Sequence, residues 1–164
     1  LICHNNDLIL DTITSRCHKI TLPPLKKSDF NLIVKNNLKK ISPDDCELLY
    51  KIFRAEPGIA ISFAKSKALE TLTEIKNLPN NFSKLKNFAQ NYKSDDLTSW
   101  YHFNLIIQYL ISEKFTANTD INPTELSKFG IAALELQQKA SQTLKLNLNR
   151  KDFIINAIRK LQAL

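Results

Sequence analysis

The run Leu8-Ile9-Leu10-Asp11-Thr12-Ile13-Thr14-Ser15-Arg16-Cys17 holds the residues best placed to do chemistry. Asp11 can cap a one-turn helix over Thr12, Ile13 and Thr14, and Arg16 stands where that helix ends. Arginine is always charged and presents a rigid fork of donors that fits a carboxylate or a phosphate. Held by a short capped helix, Arg16 could reach a phosphate on a neighbouring molecule. The plainer alternative is a local salt bridge, and on physics alone the salt bridge is favoured. Two Cys-His dipeptides, Cys3-His4 and Cys17-His18, raise the question of a metal. Adjacent strand residues point to opposite faces, so one dipeptide does not readily give two ligands, and zinc sites use spaced ligand pairs. The expectation is no metal and three free thiols, Cys3, Cys17 and Cys46. His102 lies among apolar residues and reads as structural. Asp44-Asp45 and Asp95-Asp96 look like helix-start charges rather than an acid–base pair. Gly58 and Gly130 are the only glycines, which excludes a Gly-rich phosphate loop in this chain. No cofactor and no complete active site are expected here.

The elements around these residues are mostly helical by pattern. Leu1 to Cys3 and the alternating His18 to Leu22 read as short strands, and Pro23-Pro24 ends that unit. Ser28 is a good N-cap for a helix with Phe30, Ile33, Val34, Leu38 and Ile41 at helical spacing. Ser42-Pro43 opens a second, whose apolar face is Leu48, Leu49, Ile52 and Phe53. After Glu56-Pro57-Gly58, a third is expected from about Ile59, carrying Phe63, Ala64, Ala68, Leu69, Leu72 and Ile75. Leu78-Pro79-Asn80-Asn81 is the best domain boundary. Four amphipathic segments follow. The first holds Leu85, Phe88, Ala89 and Tyr92. The second runs from about Leu97 to Phe115 with Trp100 read as core. The third starts near Pro123 after Asn122 and carries Leu126, Phe129, Ala133, Leu136, Ala140 and Leu144. The last follows Asn149 and holds Phe153, Ile154, Ala157, Ile158 and Leu161. The pattern is that of a helical bundle.

Composition narrows the function classes. The chain has 164 residues, 43% hydrophobic and 24% charged, which suits a folded protein rather than a disordered one. No apolar run approaches the roughly 20 residues of a membrane span, and no signal peptide is seen, so a cytoplasmic protein with no membrane partner is expected. The start at Leu1, without Met, reads as a fragment of a longer protein. The net charge of +7 would suit nucleic acid. Lysine greatly outnumbers arginine, however, which is confined to Arg16, Arg54, Arg150 and Arg159. Specific phosphate or base readout tends to use arginine forks, so the charge alone is weak evidence.

Three stretches, in order, resemble the clamp-loader branch of the AAA+ family. Residues 1–25 resemble the end of its ATPase-type domain, where a sensor strand leads into a Thr-Ile-x-Ser-Arg-Cys signature, a strand and Pro-Leu; here these are Thr12-Ile13, Ser15-Arg16-Cys17 and Pro24-Leu25. Ala55-Glu56-Pro57-Gly58-Ile59-Ala60 looks like the turn that opens the last lid helix in delta-prime-type subunits. Leu146-Asn147-Leu148-Asn149-Arg150-Lys151 resembles the loop before their final collar helix. The chain departs from the pattern at Asp11, where proline is usual, at Thr14, where a second arginine is common, and at Ala55-Glu56, which replaces Gly-Ser.

The resemblance implies a mainly α chain in three parts: residues 1–22 finish a truncated α/β AAA+-type domain, 23–78 form a three-helix lid, and 79–164 form an all-helical collar that oligomerises. It implies an accessory subunit rather than an enzyme. Its partners would be the delta and gamma/tau subunits and, through the complex, the sliding clamp and primed DNA. Arg16, supported by Ser15 and Cys17, would be an arginine finger reaching ATP on a neighbouring subunit. The first alternative is the ATP-hydrolysing gamma/tau type, which would carry an arginine near the start of the third lid helix; Pro57-Gly58-Ile59-Ala60-Ile61 has none. The second is a free-standing helical nucleic-acid-binding protein, which explains the charge but not the ordered motifs.

Overall fold

The computed structural model describes residues 10–18, 20, 23, 25–54, 56–117 and 123–164. Among these the protein is mainly helical and has no strand. The strand expected at Leu1–Cys3, most of the one at His18–Leu22, the Cys3-His4 dipeptide, Pro24, Ala55 and the Asn122 cap lie outside the described residues, as do the side chains of Asp11 and Leu126.

Helix α1 is a single turn, Asp11–Thr14. The next three, α2 (Lys27–Asn37), α3 (Pro43–Phe53) and α4 (Pro57–Lys65), pack on one another. Phe30, Val34, Cys46, Leu49, Phe53, Ala60 and Phe63 fill the space between them. Burying each such aromatic or branched side chain stabilises by about 1.5–3 kcal/mol relative to leaving it exposed. Helix α3 starts as its residues dictate: Pro43 occupies the first helical position, and the Ser42 hydroxyl accepts from the Asp45 N–H at 3.0 Å. Helix α2 departs from expectation. Ser28 is not its cap; the Lys26 carbonyl accepts from Asp29 and Phe30 N–H, so the first turn closes earlier, and the Ser28 hydroxyl donates to the Asp29 carboxylate instead.

The third helix of the expected three is in fact two. Helix α4 ends at Lys65 and α5 (Ala68–Asn77) begins after Lys67, whose φ of 63° is left-handed. Buried residues continue from Ala60 and Phe63 in α4 to Ala68, Leu72 and Ile75 in α5, through a corner that no proline or glycine marks. Helix α5 packs on α4 and on α7.

Helices α6 (Phe82–Asn91), α7 (Leu97–Ala117), α8 (Pro123–Lys145) and α9 (Arg150–Gln162) form the rest. The central one, α7, touches α5, α8 and α9, and α6 lies on α9. Asn81 caps α6 and Asn149 caps α9, each side chain accepting from two backbone N–H groups. Trp100 is 2% exposed and belongs to the core, tilted against Phe153 at 5.1 Å between centroids. Helix α8 turns slightly differently from the expected face: Ala132 and Thr143 point inward, while Leu144 is exposed. The buried cluster is continuous from Phe30 to Leu161 and so passes across the 78–81 link. Gln162 also donates from Nε2 to the Leu78 carbonyl at 2.8 Å.

Candidate functional site

Arg16 sits on the turn that leaves α1. The turn is closed by backbone bonds from Ile13 N–H to Leu10 O at 2.9 Å and from Arg16 N–H to Ile13 O at 3.1 Å. The Ser15 hydroxyl donates back to Thr12 O at 3.3 Å, which ties the same turn. Ser15, Arg16 and Cys17 are all exposed, and Cys17 is a free thiol. Among the described residues Arg16 makes no ion pair. Leu10 and Ile13 on the same turn are exposed as well, at 70% and 38%.

The other chemistry-bearing residues are drawn into the fold. His102, on α7, is 2% exposed. Its Nδ1 lies 2.8 Å from Ser66 Oγ, whose single proton goes to Phe63 O at 2.9 Å, so Nδ1 is the donor to Ser66. The ring also meets Phe63 edge-on at 5.2 Å. Burial pushes the imidazole below its ordinary pKa, and the Asp96 carboxylate opposes this. Asp96 is a helix-start charge: it accepts from Ser99 N–H and Ser99 Oγ at 2.7 and 2.8 Å, and the hydroxyl bond is the main reason its carboxyl lies below the usual range. Tyr92 donates to Ser99 O at 2.7 Å, and burial raises its phenol to about 12. Asp45 joins Ser42 at the start of α3. No group of three His, Cys, Asp or Glu among the described residues gathers as a metal site.

Sequence reasoning missed two partnerships. One is the Ser66–His102 contact, between residues 36 positions apart. The other is Arg150, which donates from one terminal nitrogen to the Ser94 and Asp95 carbonyls at 2.6 and 2.9 Å and lies 5.6 Å above Trp100. Nothing in the local sequence signals either, because each partner comes from a distant turn.

Lysine is dispersed. Every helix from α2 to α9 carries at least one. A cavity of about 610 Å³ beside the α2–α3 link brings Lys39, Lys40 and Lys67 together, but Asp45 and Glu70 line it too. No helix of the described residues is long and apolar enough to cross a membrane.

No protein-family model, no curated protein and no solved structure matches the chain.

Proposed function

We propose that this chain is the C-terminal part of a delta-prime-type subunit of the bacterial clamp loader, the complex that uses ATP to place the sliding clamp on primed DNA. In this reading residues 1–22 end the AAA+-type domain, 23–78 are the lid and 79–164 the collar, in a cytoplasmic assembly with delta and gamma/tau subunits. Arg16 is the arginine finger for ATP bound to the adjoining ATPase subunit. The observation that carries the reading is Arg16 itself: exposed, on a hydrogen-bonded turn, without an ion pair among the described residues, and inside the Thr-Ile-x-Ser-Arg-Cys run. Leu10 and Ile13 on the same turn are exposed apolar side chains that a docked neighbour would cover. The ordered matches at residues 55–60 and 146–151 support the same assignment. The absence of arginine over 57–61 favours delta-prime over the gamma/tau type.

The chemistry follows from charge. As the bond to the transferred phosphoryl group breaks, charge redistributes over its oxygens, and a fixed guanidinium stabilises that arrangement. Fingers supplied in trans contribute roughly 10³–10⁵ in rate, by analogy with GTPases.

The test is assembly. The full-length natural protein is mixed with delta and gamma/tau subunits from the same organism, and mass is followed by size exclusion with light scattering. The expected result is a defined hetero-oligomer, with no ATP turnover by the protein alone. Turnover by the protein alone assigns it to the ATPase type. Failure to assemble, together with nanomolar DNA binding that survives high salt, assigns it instead to nucleic-acid recognition.

A further inference from the structure

Charge is spread over this chain, 23 Lys and Arg and 16 Asp and Glu in all, yet one face of the described helices has none. Helix α7 carries no Asp, Glu, Lys or Arg from Leu97 to Ser112. Over that length Leu97, Tyr101, Gln108 and Ser112 stay exposed and recur at helical spacing, so they make one stripe. Helix α8 lies beside α7, with Phe129 edge-on to Phe115 at 5.9 Å. The opposite flank of α8 is set by Glu135, which pairs with Lys160 of α9. Beyond the α7 flank, Leu134, Gln137, Ser141 and Leu144 recur every three or four residues, all exposed and all uncharged. The two stripes therefore run side by side. At the start of α7 the surface continues into an open groove of about 380 Å³, whose far wall is Gly58, Ile59 and Ser62 of α4, again without a charge. Leu97, Tyr101, Leu134 and Leu144 are 64%, 48%, 61% and 39% exposed on this face.

We propose that the α7–α8 face docks a helical surface of another protein, one with an uncharged, apolar centre and an acidic rim. The centres of protein interfaces are depleted of charge and favour aromatic side chains, here Tyr101. From Leu97 to Ser112 the helix rises about 24 Å. Two helices about 10 Å wide give roughly 500 Å² in projection over that length, and the relief of the side chains raises it toward the roughly 800 Å² that each partner contributes to a stable complex.

The uncharged centre would accept a second copy as readily as a different chain; the rim decides between them. Among the described side chains of α8 the charged ones outside the stripe are Lys128, Lys139, Lys145 and Glu135, and Glu135 is occupied by Lys160. Lys65 follows Ser62 by one turn at the end of α4. A second copy would bring the same lysines against a chain of net charge +7. Carboxylates around a different partner's face would meet them instead. In the loader reading, on which the choice of probe rests, that partner is an adjoining subunit.

The test titrates the full-length natural protein with purified gamma/tau subunit, and separately with delta, by sedimentation at low and high salt. The wild-type protein alone should stay monomeric and should bind one of the two. Leu134→Glu and Tyr101→Glu, both at exposed positions and with thermal melts unchanged, should each weaken that binding at least tenfold. Leu32→Glu, on α2 and as exposed at 61%, should not. Lys139→Glu should weaken it several-fold at low salt and less at high salt. Binding that ignores Leu134→Glu and Tyr101→Glu overturns the docking face and leaves the loader reading standing. A wild-type dimer that Leu134→Glu dissolves overturns the choice of partner. Absence of binding to either subunit overturns the loader reading, and this partner with it.

Discussion

Arg16 and Arg150 are the same residue used in opposite ways. Arg150 lies where α9 meets the α6–α7 link, and the fold supplies acceptors for one terminal nitrogen, the Ser94 and Asp95 carbonyls, and the face of Trp100 for its charge. Arg16 lies on a turn after a four-residue helix, exposed and without an ion pair among the described residues, with exposed Leu10 and Ile13 on the same turn. An arginine whose acceptors are built in holds the structure together. One presented on a tied turn without them is suited to a partner. The two differ in whether the described residues supply acceptors for the guanidinium.

The largest effect that sharpens this contrast is in the bundle. Trp100→Ala should destabilise by about 3–5 kcal/mol in denaturant melts, since it empties a fully packed site. Ile13→Ala, in the exposed segment, should stay within about 0.5 kcal/mol. Equal losses at the two sites would erase the distinction. Next comes Arg150→Ala, which strands two carbonyls and removes a cation from Trp100; about 1.5–3 kcal/mol should be lost. Arg16→Ala in the same melts should change little.

The buried histidine gives a smaller, pH-dependent effect. Because burial lowers the His102 pKa in the folded chain, the unfolded chain binds more protons below about pH 6.5. Stability should fall with pH in that window by at most about 1.4 kcal/mol per unit from this group. The fall should vanish in His102→Gln when the two proteins are compared by melts from pH 7.5 to 5.5.

The smallest effect is a gain. Gly130 lies inside α8, exposed, and a Cβ there would meet nothing within 4 Å. Gly130→Ala should therefore stabilise by about 0.5–1 kcal/mol. A loss at this position would mean that the outer face of α8 is not free.

Much of the helical body was legible because local chemistry marks it. Ser42-Pro43 and Asn149 announce their helices, and the inward residues of α9 fall where the period puts them. The α4–α5 corner was not legible, because Lys67 adopts a left-handed conformation without the glycine or asparagine that usually signals one. Ser28 misled because a good capping residue only competes for the role, and Lys26 O closed the turn first. For the candidate site, sequence pointed to Arg16 and to the turn, and the structure adds its exposure. The Arg150 and His102 contacts depend on tertiary packing between segments far apart in the chain, which no local pattern encodes.

The central claim rests on Arg16, and one measurement reaches it most directly. The loader is reconstituted from wild-type ATPase and delta subunits with the full-length Arg16→Ala protein, and ATP turnover stimulated by clamp and primed DNA is recorded at saturating ATP. Normal assembly with turnover reduced at least tenfold, and only partial recovery by Arg16→Lys, is the result expected of a planar fork acting on a neighbour's phosphates. Normal assembly with unchanged turnover would contradict the arginine-finger assignment.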